Sequence, residues 1–144
     1  MMHRLNRMNA IVRYGNFWRT PKLEGAGIGA CDRPYLFYLC RHPGVSQEAL
    51  AAALFVNKSS VARRLAHLEK EGYVTRTPDE NDRRVLIVSP TERARALLPH
   101  LQEIAGEWNK IITDGFTDEE IALFSELINK AYANARQKVE EMAP

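Results

Sequence analysis

The six residues DENDRR, Asp79 to Arg84, place charges of both signs directly before the apolar run VLIV at 85–88. Such a cluster is either a solvated turn or the charged tip of a hairpin that binds a partner. At a hairpin tip, an arginine can enter an A·T-rich minor groove, where negative potential is concentrated. We assign this role to Arg84 and a phosphate contact to Arg83. Asp82 lies two residues before Arg84, where its carboxylate can hold the guanidinium in place.

A second candidate is the helix predicted from Asn57 to Glu71. At 100° per residue, Val61, Leu65 and Leu68 form one apolar seam. The first turns of the opposite face offer hydroxyl and basic groups, which suit base edges in a major groove. The residues of this helix predicted to contact DNA are Lys58, Ser59, Ser60, Arg63, Arg64 and His67.

An ordinary amphipathic helix also carries a basic outer face, so the helix alone does not decide the function. What favours DNA binding is the short alanine-rich helix predicted to begin after Ser46. The connection Phe55-Val56-Asn57 between the two helices has the length of a helix-turn-helix corner. Such a corner usually contains glycine, and here Phe55 occupies it.

The sequence offers no comparable set of residues for catalysis or for a metal. The four histidines are far apart and lack the spacing of zinc ligands, and no nucleophile, base and acid form a recognisable set. The glycines at 25, 27 and 29 follow no predicted strand, so they indicate a flexible connection and not a phosphate loop. We therefore expect a protein that is not an enzyme and uses no cofactor and no metal.

Composition and charge are those of one folded domain of 144 residues, 45% of them apolar and 26% charged. The absence of a long apolar run and of a signal core predicts a cytoplasmic protein with no membrane partner. Residues 1–102 carry 16 Lys and Arg against 9 Asp and Glu, whereas residues 103–144 carry 4 against 9. This asymmetry favours a basic body that binds a polyanion and an acidic C-terminal segment with a different task.

The elements that must position these residues follow from periodicity and caps. The order is four helices, a two-stranded hairpin (GYVTR and RVLIVS) and two further helices. The first helix is expected over about 5–18, beginning its apolar spacing at Leu5 and ending before Pro21. The order is that of a winged helix-turn-helix, a mainly α fold with a small β-hairpin (α+β).

Three helix ends are marked by their cap residues. Gly72 is expected to end the fourth helix. Ser89 is expected to cap the fifth helix, with Pro90 in its first position, and that helix should run to about Ile112. Thr117-Asp118-Glu119-Glu120 is a capping box that opens the sixth helix.

The segment 56–94, VNKSSVARRLAHLEKEGYVTRTPDENDRRVLIVSPTERA, resembles the core of the MarR family of bacterial transcription regulators. The family's LEKxG motif appears as LEKEG at 68–72, and its D-x-x-D-x-R wing appears as Asp79, Asp82 and Arg84. The end of the following strand appears as Pro-Thr-Glu at 90–92. Pro90 and Ala94 replace the family's usual Leu and Gly, at positions that do not face DNA.

The resemblance implies one MarR-like domain over 1–144. Residues of about 33–90 would form the winged DNA-binding lobe, and helices of about 1–24 and 91–144 would pair two chains as a homodimer on a pseudo-palindromic duplex. The apolar residues of the last two helices fit this use, although they could instead close the core of one chain. They are Leu101, Ile104, Trp108, Ile111 and Ile112, together with the stripe of Phe124.

The resemblance also implies a repressor released by a small aromatic or phenolic ligand. The residues available to line its site are Arg13, Tyr14, Trp18, Tyr35, Tyr38 and His42. One alternative is a redox-sensing regulator of the same fold that uses Cys31 or Cys40. Another is a winged-helix module that binds proteins and does not bind DNA.

Overall fold

A computed structural model of the chain describes the backbone of residues 2–143 and the side chains of residues 6–143. The side chain of Leu5, with which the predicted apolar spacing begins, lies outside the described residues. The chain divides into two compact units, residues 1–106 and residues 107–144. The elements in chain order are α1 Met2–Leu23, α2 Arg33–Arg41, β1 Val45–Ser46, α3 Gln47–Leu54, α4 Lys58–Lys70, β2 Val74–Pro78, β3 Leu86–Pro90, α5 Glu92–Ile112 and α6 Asp118–Met142.

The described residues form a mainly helical fold with a small antiparallel sheet, which confirms the predicted fold class. The sheet has three strands in the order β1-β3-β2. Strands β2 and β3 pair from Val74↔Pro90 to Pro78↔Leu86 and form the predicted hairpin, here called the wing. Strand β1 pairs through Val45↔Val88 and was not predicted, because two residues are too short to show an alternation of apolar and polar side chains.

The core of the first unit lies between the helices and the inner face of the sheet. Its fully buried side chains include Leu36, Leu50, Leu65, Val88 and Leu101. Each comes from a different element, so α2, α3, α4, β3 and α5 are held together by one apolar cluster. This cluster is the platform on which α4 and the wing are presented.

Three helix ends have the capping residues that the sequence predicted. Ser46 Oγ accepts the Ala49 N–H at 3.0 Å at the start of α3. Gly72 follows α4 with a φ of +82°, the left-handed conformation that glycine adopts at low cost. Thr117 Oγ1 accepts the Glu120 N–H at 3.1 Å while the Glu120 carboxylate accepts the Thr117 N–H at 2.9 Å.

The predicted end of α1 was wrong, because the helix continues through Pro21 to Leu23. A proline in the last turn removes one backbone hydrogen bond, the one that would reach the carbonyl four residues earlier. Leu23 is fully buried in the core. Its burial outweighs that local cost.

The predicted start of α5 was also wrong. Ser89 and Pro90 remain in β3, paired with Thr75 and Val74, so they cannot open a helix. Thr91 takes the capping position instead, and its hydroxyl oxygen lies 3.3 Å from the Ala94 N–H that it accepts. The same hydroxyl donates to the Gly72 carbonyl at 2.6 Å, so the cap of α5 is tied to the end of α4.

Candidate nucleic-acid interface

Helix α4 presents the face that its periodicity predicts. Val61, Leu65 and Leu68 are completely buried, which fixes the direction of the opposite face. Asn57 Oδ1 accepts the Ser60 N–H at 2.8 Å and caps the helix. The N–H groups at the start of α4 point along the helix axis, where the helix dipole favours an anion.

The exposed side chains at the start of α4 are suited to reading a major groove. Lys58, Ser59 and Arg63 are exposed, and Ser60 is half-buried. The segment from Lys58 to Leu68 contains no acidic residue. A guanidinium can donate two hydrogen bonds to guanine, and a serine hydroxyl can adapt to several base edges.

Lys58 forms an ion pair across the helix-turn-helix corner. Its Nζ lies 3.0 Å from Glu48 Oε1 on α3, and both side chains are more than 70% exposed. Exposed pairs of this kind are worth about 1 kcal/mol or less, so a phosphate can replace the carboxylate. The ion pair therefore does not remove Lys58 from the set of possible phosphate contacts.

Arg64 and His67 differ from the other predicted contact residues, because the structure places them against residues 24–32, here called the connector. Arg64 Nη1 lies 3.5 Å from Asp32 Oδ1. His67 Nε2 lies 3.0 Å from the Gly27 carbonyl oxygen. The predicted contact set thus divides into an outward group and a group that meets the connector.

The tip of the wing holds Arg84 in a defined orientation. Asp82 accepts the Arg84 Nε–H at 3.0 Å on Oδ1 and the Nη2–H at 3.2 Å on Oδ2, and it also accepts the Arg84 backbone N–H at 3.1 Å. The predicted hydrogen bond between Asp82 and Arg84 is therefore present, while the role of Arg84 toward DNA stays a prediction. The Arg84 side chain is 91% exposed. These bonds restrict the conformations of the long side chain and so reduce the entropy that binding would cost.

The Arg84 guanidinium, followed by its backbone N–H, holds the pKa of Asp82 below its ordinary value. The charged carboxylate that orients Arg84 is thus the form present at neutral pH. Arg83 is exposed beside this pair. The turn itself is closed by the Asp79 N–H donating to the Val85 carbonyl at 2.8 Å.

Arg76 ties the wing to both helices of the helix-turn-helix, which the sequence did not indicate. Its Nη2 lies 3.1 Å from Glu69 Oε1 on α4, and its Nη1 donates to Gln47 Oε1 on α3 at 3.3 Å. In the sequence, Arg76 is one more basic residue in a strand. Arg76, Gln47 and Glu69 meet only because β2 lies beside α3 and α4 in the folded chain.

The start of α4 and the wing adjoin one cleft. A cleft of about 180 Å³ is lined by Glu48, Lys58, Arg84 and Leu86, with Gln47 and Val85. Lys58 is the first residue of α4 and Arg84 is the tip residue held by Asp82. The two segments predicted separately to contact DNA therefore lie next to each other.

The residues predicted to line a ligand site lie in different surroundings, and their role stays a prediction. Tyr35 is buried in the core, and burial raises the pKa of its hydroxyl. The rings of Tyr38 and His42 are in contact, with their centroids 4.5 Å apart. Lys22 Nζ lies 4.5 Å from the centroid of the Trp18 ring, and Arg13 and Tyr14 are exposed.

An open cavity of about 460 Å³ lies elsewhere in the first unit. It is lined in part by Lys22, Tyr73, Arg93, Leu97 and His100, with the Arg93 guanidinium 4.5 Å from the centroid of the Tyr73 ring. The six predicted ligand residues are not among those that line it. Sequence reasoning missed this cavity because its residues come from α1, the segment that follows it, the residue before β2, and α5.

Two arginines whose guanidinium nitrogens are partly buried, Arg19 and Arg33, were also missed. Burial lowers the pKa of Arg33, and burial together with the charge of Arg33 lowers the pKa of Arg19. Two nitrogens of Arg33, Nε and Nη1, are buried without a hydrogen-bond partner in the part of the chain that is described. Such donors favour an anion as a partner.

The cysteines and the possible metal ligands add no second site. Cys31 is exposed and Cys40 is half-buried. Burial raises the pKa of the Cys40 thiol, which disfavours the reactive thiolate. Within residues 6–143, no three His, Cys, Asp or Glu side chains are close enough to hold a metal ion. No helix in the described range is long and apolar enough to cross a membrane.

Comparisons with known proteins agree with this geometry. The sequence profile of the MarR family matches residues 32–85. The uncharacterized HTH-type transcriptional regulator YybA of Bacillus subtilis (strain 168) is 30% identical over 100 residues, which are 69% of this chain and 67% of that protein. The crystal structure of a MarR transcriptional regulator from Methanosarcina mazei Go1 superimposes with a TM-score of 0.89 and 32% identity, over 95% of this chain and 99% of that one. A MarR family regulator from Listeria monocytogenes, crystallised with a 26mer DNA, shares the fold with a TM-score of 0.81 at 22% identity, over 93% and 89% of the two chains.

Proposed function

The chain belongs to the MarR family of transcription regulators, and on that premise we propose that it binds a specific DNA duplex as a homodimer and represses transcription there. The observation that carries the proposal is the cleft shared by Lys58 and Arg84. A helix N-terminus and an ordered wing arginine on one side of the molecule can contact a major groove and the adjacent minor groove together.

The outward group of α4 supplies the sequence readout in this proposal. Arg63 contacts a base, Ser59 and Ser60 adapt to neighbouring edges, and Lys58 exchanges Glu48 for a phosphate. In the wing, Arg84 enters the minor groove and Arg83 contacts the backbone. Two chains related by a two-fold axis would read two half-sites of a pseudo-palindrome.

The test of DNA binding is selection from a random duplex pool followed by a salt titration of the selected sequence. We expect an enriched motif with two-fold symmetry. The logarithm of the association constant should fall linearly with the logarithm of the salt concentration, by about 0.9 for each phosphate contacted. A protein-binding module without DNA affinity would enrich no motif and bind no duplex at low salt, and that result would overturn the proposal.

Release by a small aromatic or phenolic anion is the second part of the proposal. Two buried nitrogens of Arg33, which have no hydrogen-bond partner among the described residues, support a site for an anion. We expect benzoate or a phenolic carboxylate to weaken binding to the selected duplex, and Arg33→Gln to abolish that response. Arg7→Gln is the matched control, because Arg7 is exposed on α1 and is not one of the predicted ligand residues. An equal response of the wild type and Arg33→Gln would contradict this part.

A further inference from the structure

The connector lies against one stripe of α4. Arg64, His67 and Glu71 follow each other at spacings of three and four residues, so they share one side of the helix end. Arg64 meets Asp32 and His67 meets the Gly27 carbonyl. A side chain at Gly27, where φ is +73°, would place its Cβ 2.5 Å from a carboxylate oxygen of Glu71. The connector thus fits α4 closely over two turns.

Asp32 is the buried centre of this contact. It is 1% exposed, and its Oδ2 accepts the Gly29 N–H at 2.8 Å, which fixes the carboxylate within the turn of the connector. Its Oδ1 lies 3.5 Å from Arg64 Nη1, and Arg64 is the cation paired with it. A buried carboxylate is costly without such a partner, so the pair constrains the Arg64 side chain.

A further bond joins the connector to Tyr73, three residues beyond the end of α4. The Tyr73 hydroxyl donates to the Ala26 carbonyl, and the Tyr73 ring is buried. The connector is therefore attached at Arg64, at His67 and beyond the helix end. These attachments resist rotation of α4 about its axis, and such a rotation would move Arg63 relative to any groove.

We propose that Asp32, Arg64 and His67 are positioning residues, which refine the orientation that the buried seam of α4 gives to Arg63. Arg64 and His67 then act through the connector and not through contacts with the duplex. The inference rests on the proposed function, because an orientation matters only if α4 reads DNA. Its consequence is that the α1–α2 connection, far from the wing in sequence, contributes to sequence readout.

The experiment compares wild type, Asp32→Asn, Arg64→Gln and the double variant on the selected duplex, each titrated with salt. Asparagine keeps an oxygen for the Gly29 N–H and removes only the charge. We expect each single variant to lose about 3- to 30-fold in affinity and the double variant to lose no more than either single one, the behaviour of coupled neighbours. The salt slope and the affinity for random-sequence duplex should stay at the wild-type values.

A direct DNA contact by Arg64 predicts different results. Arg64→Gln would then reduce the salt slope by about 0.9, the value for one phosphate. Asp32→Asn, which removes a negative charge, would bind as tightly as the wild type or more tightly. Either result overturns the inference, and the slope of Arg64→Gln decides the question even if Asp32→Asn does not fold.

These failures are distinguishable from failure of the proposed function. If the wild type binds no duplex, DNA binding itself is disproved. If the wild type binds a selected duplex and Arg64→Gln changes the slope, only the positioning role is disproved. Thermal unfolding of each variant checks that the compared proteins are folded at the assay temperature.

Discussion

At the scale of single residues, the wing shows how an acidic side chain can serve a DNA-binding segment. Asp82 occupies three donors of Arg84 and leaves that side chain 91% exposed. Because the pKa of Asp82 is lowered, its carboxylate is charged and holds Arg84 at every pH above the ordinary pKa of a carboxyl group. This interaction is lost only as the pH falls through the lower, folded-state pKa. We therefore expect no loss of wing order between pH 6 and pH 8.

Replacement of Arg84 tests minor-groove insertion. Arg84→Ala should weaken binding to sites with A·T-rich flanks more than to sites with G·C-rich flanks, because narrow A·T grooves attract a guanidinium more strongly. Arg83→Ala is the control from the same turn. As a phosphate contact it should weaken both kinds of site alike and reduce the salt slope by about 0.9. Equal losses on both flanks for Arg84→Ala would count against insertion.

Replacement of Arg63 tests base readout by α4. Arg63→Ala should weaken binding to the selected duplex by about 1–3 kcal/mol and relax the preference at one base pair of each half-site. Competition binding with a set of single-base variants of the duplex measures both effects. Lys70→Ala, on the same face two turns later, serves as the control. An unchanged base preference in Arg63→Ala would exclude Arg63 as a base-contacting residue.

At the scale of elements, the corner between α3 and α4 has an unusual residue. Phe55 ends α3 with a φ of 52°, the left-handed region that side chains other than glycine enter at a cost. Its side chain is 55% exposed, so packing compensates little of that cost. Phe55 therefore adopts the left-handed conformation for which a glycine was expected at this corner.

This conformation leads to a prediction about stability. Phe55→Gly should be more stable than Phe55→Ala by about 1 kcal/mol, because both remove the ring and only alanine retains the left-handed penalty. Urea unfolding with matched m-values measures the difference. Equal stability of the two variants would show that this corner relaxes out of the left-handed conformation.

At the scale of the whole molecule, α6 carries an apolar stripe that is exposed in a single chain. Ile121, Ile128, Tyr132 and Val139 recur at helical spacing, and Ile128 is 44% exposed. In contrast, Leu101 and Ile104 of α5, which the sequence grouped with the dimer surface, are buried in the core of the first unit. A stripe of this size on a terminal helix is typical of a surface covered by a partner.

The stripe predicts how dimerisation can be disrupted. Ile128→Asp should shift the protein from dimer to monomer in sedimentation equilibrium, because it places a charge in the apolar surface that the second chain would cover. Ala133→Asp adds the same charge about 140° around the helix and should leave the dimer intact. A wild-type protein that remains a monomer at high concentration would contradict the proposed dimer.

The sequence by itself determined the features whose cause is local. These features join each residue to a neighbour no more than four positions away. They are the buried seam of α4, the caps at Ser46 and Thr117, the glycine end at Gly72 and the hydrogen bond that Arg84 donates to Asp82. Helical periodicity, cap chemistry and turn geometry act over that range, so the local sequence is enough to predict these features. The resemblance to the MarR family rested on the same local motifs.

Only the tertiary structure decided the contacts between distant segments. These contacts join residues that are far apart in the sequence. They are the pairing of β1 with β3, the pairing that keeps Pro90 in the sheet, the hydrogen bond from Arg76 to Gln47 and the ion pair of Arg64 with Asp32. The residue types at these positions suit several partners, and which partner each one meets depends on the packing of the shared core. For this reason the sequence could propose Arg64 as a DNA contact, while its ion pair with Asp32 supports our proposal that it helps to orient the helix.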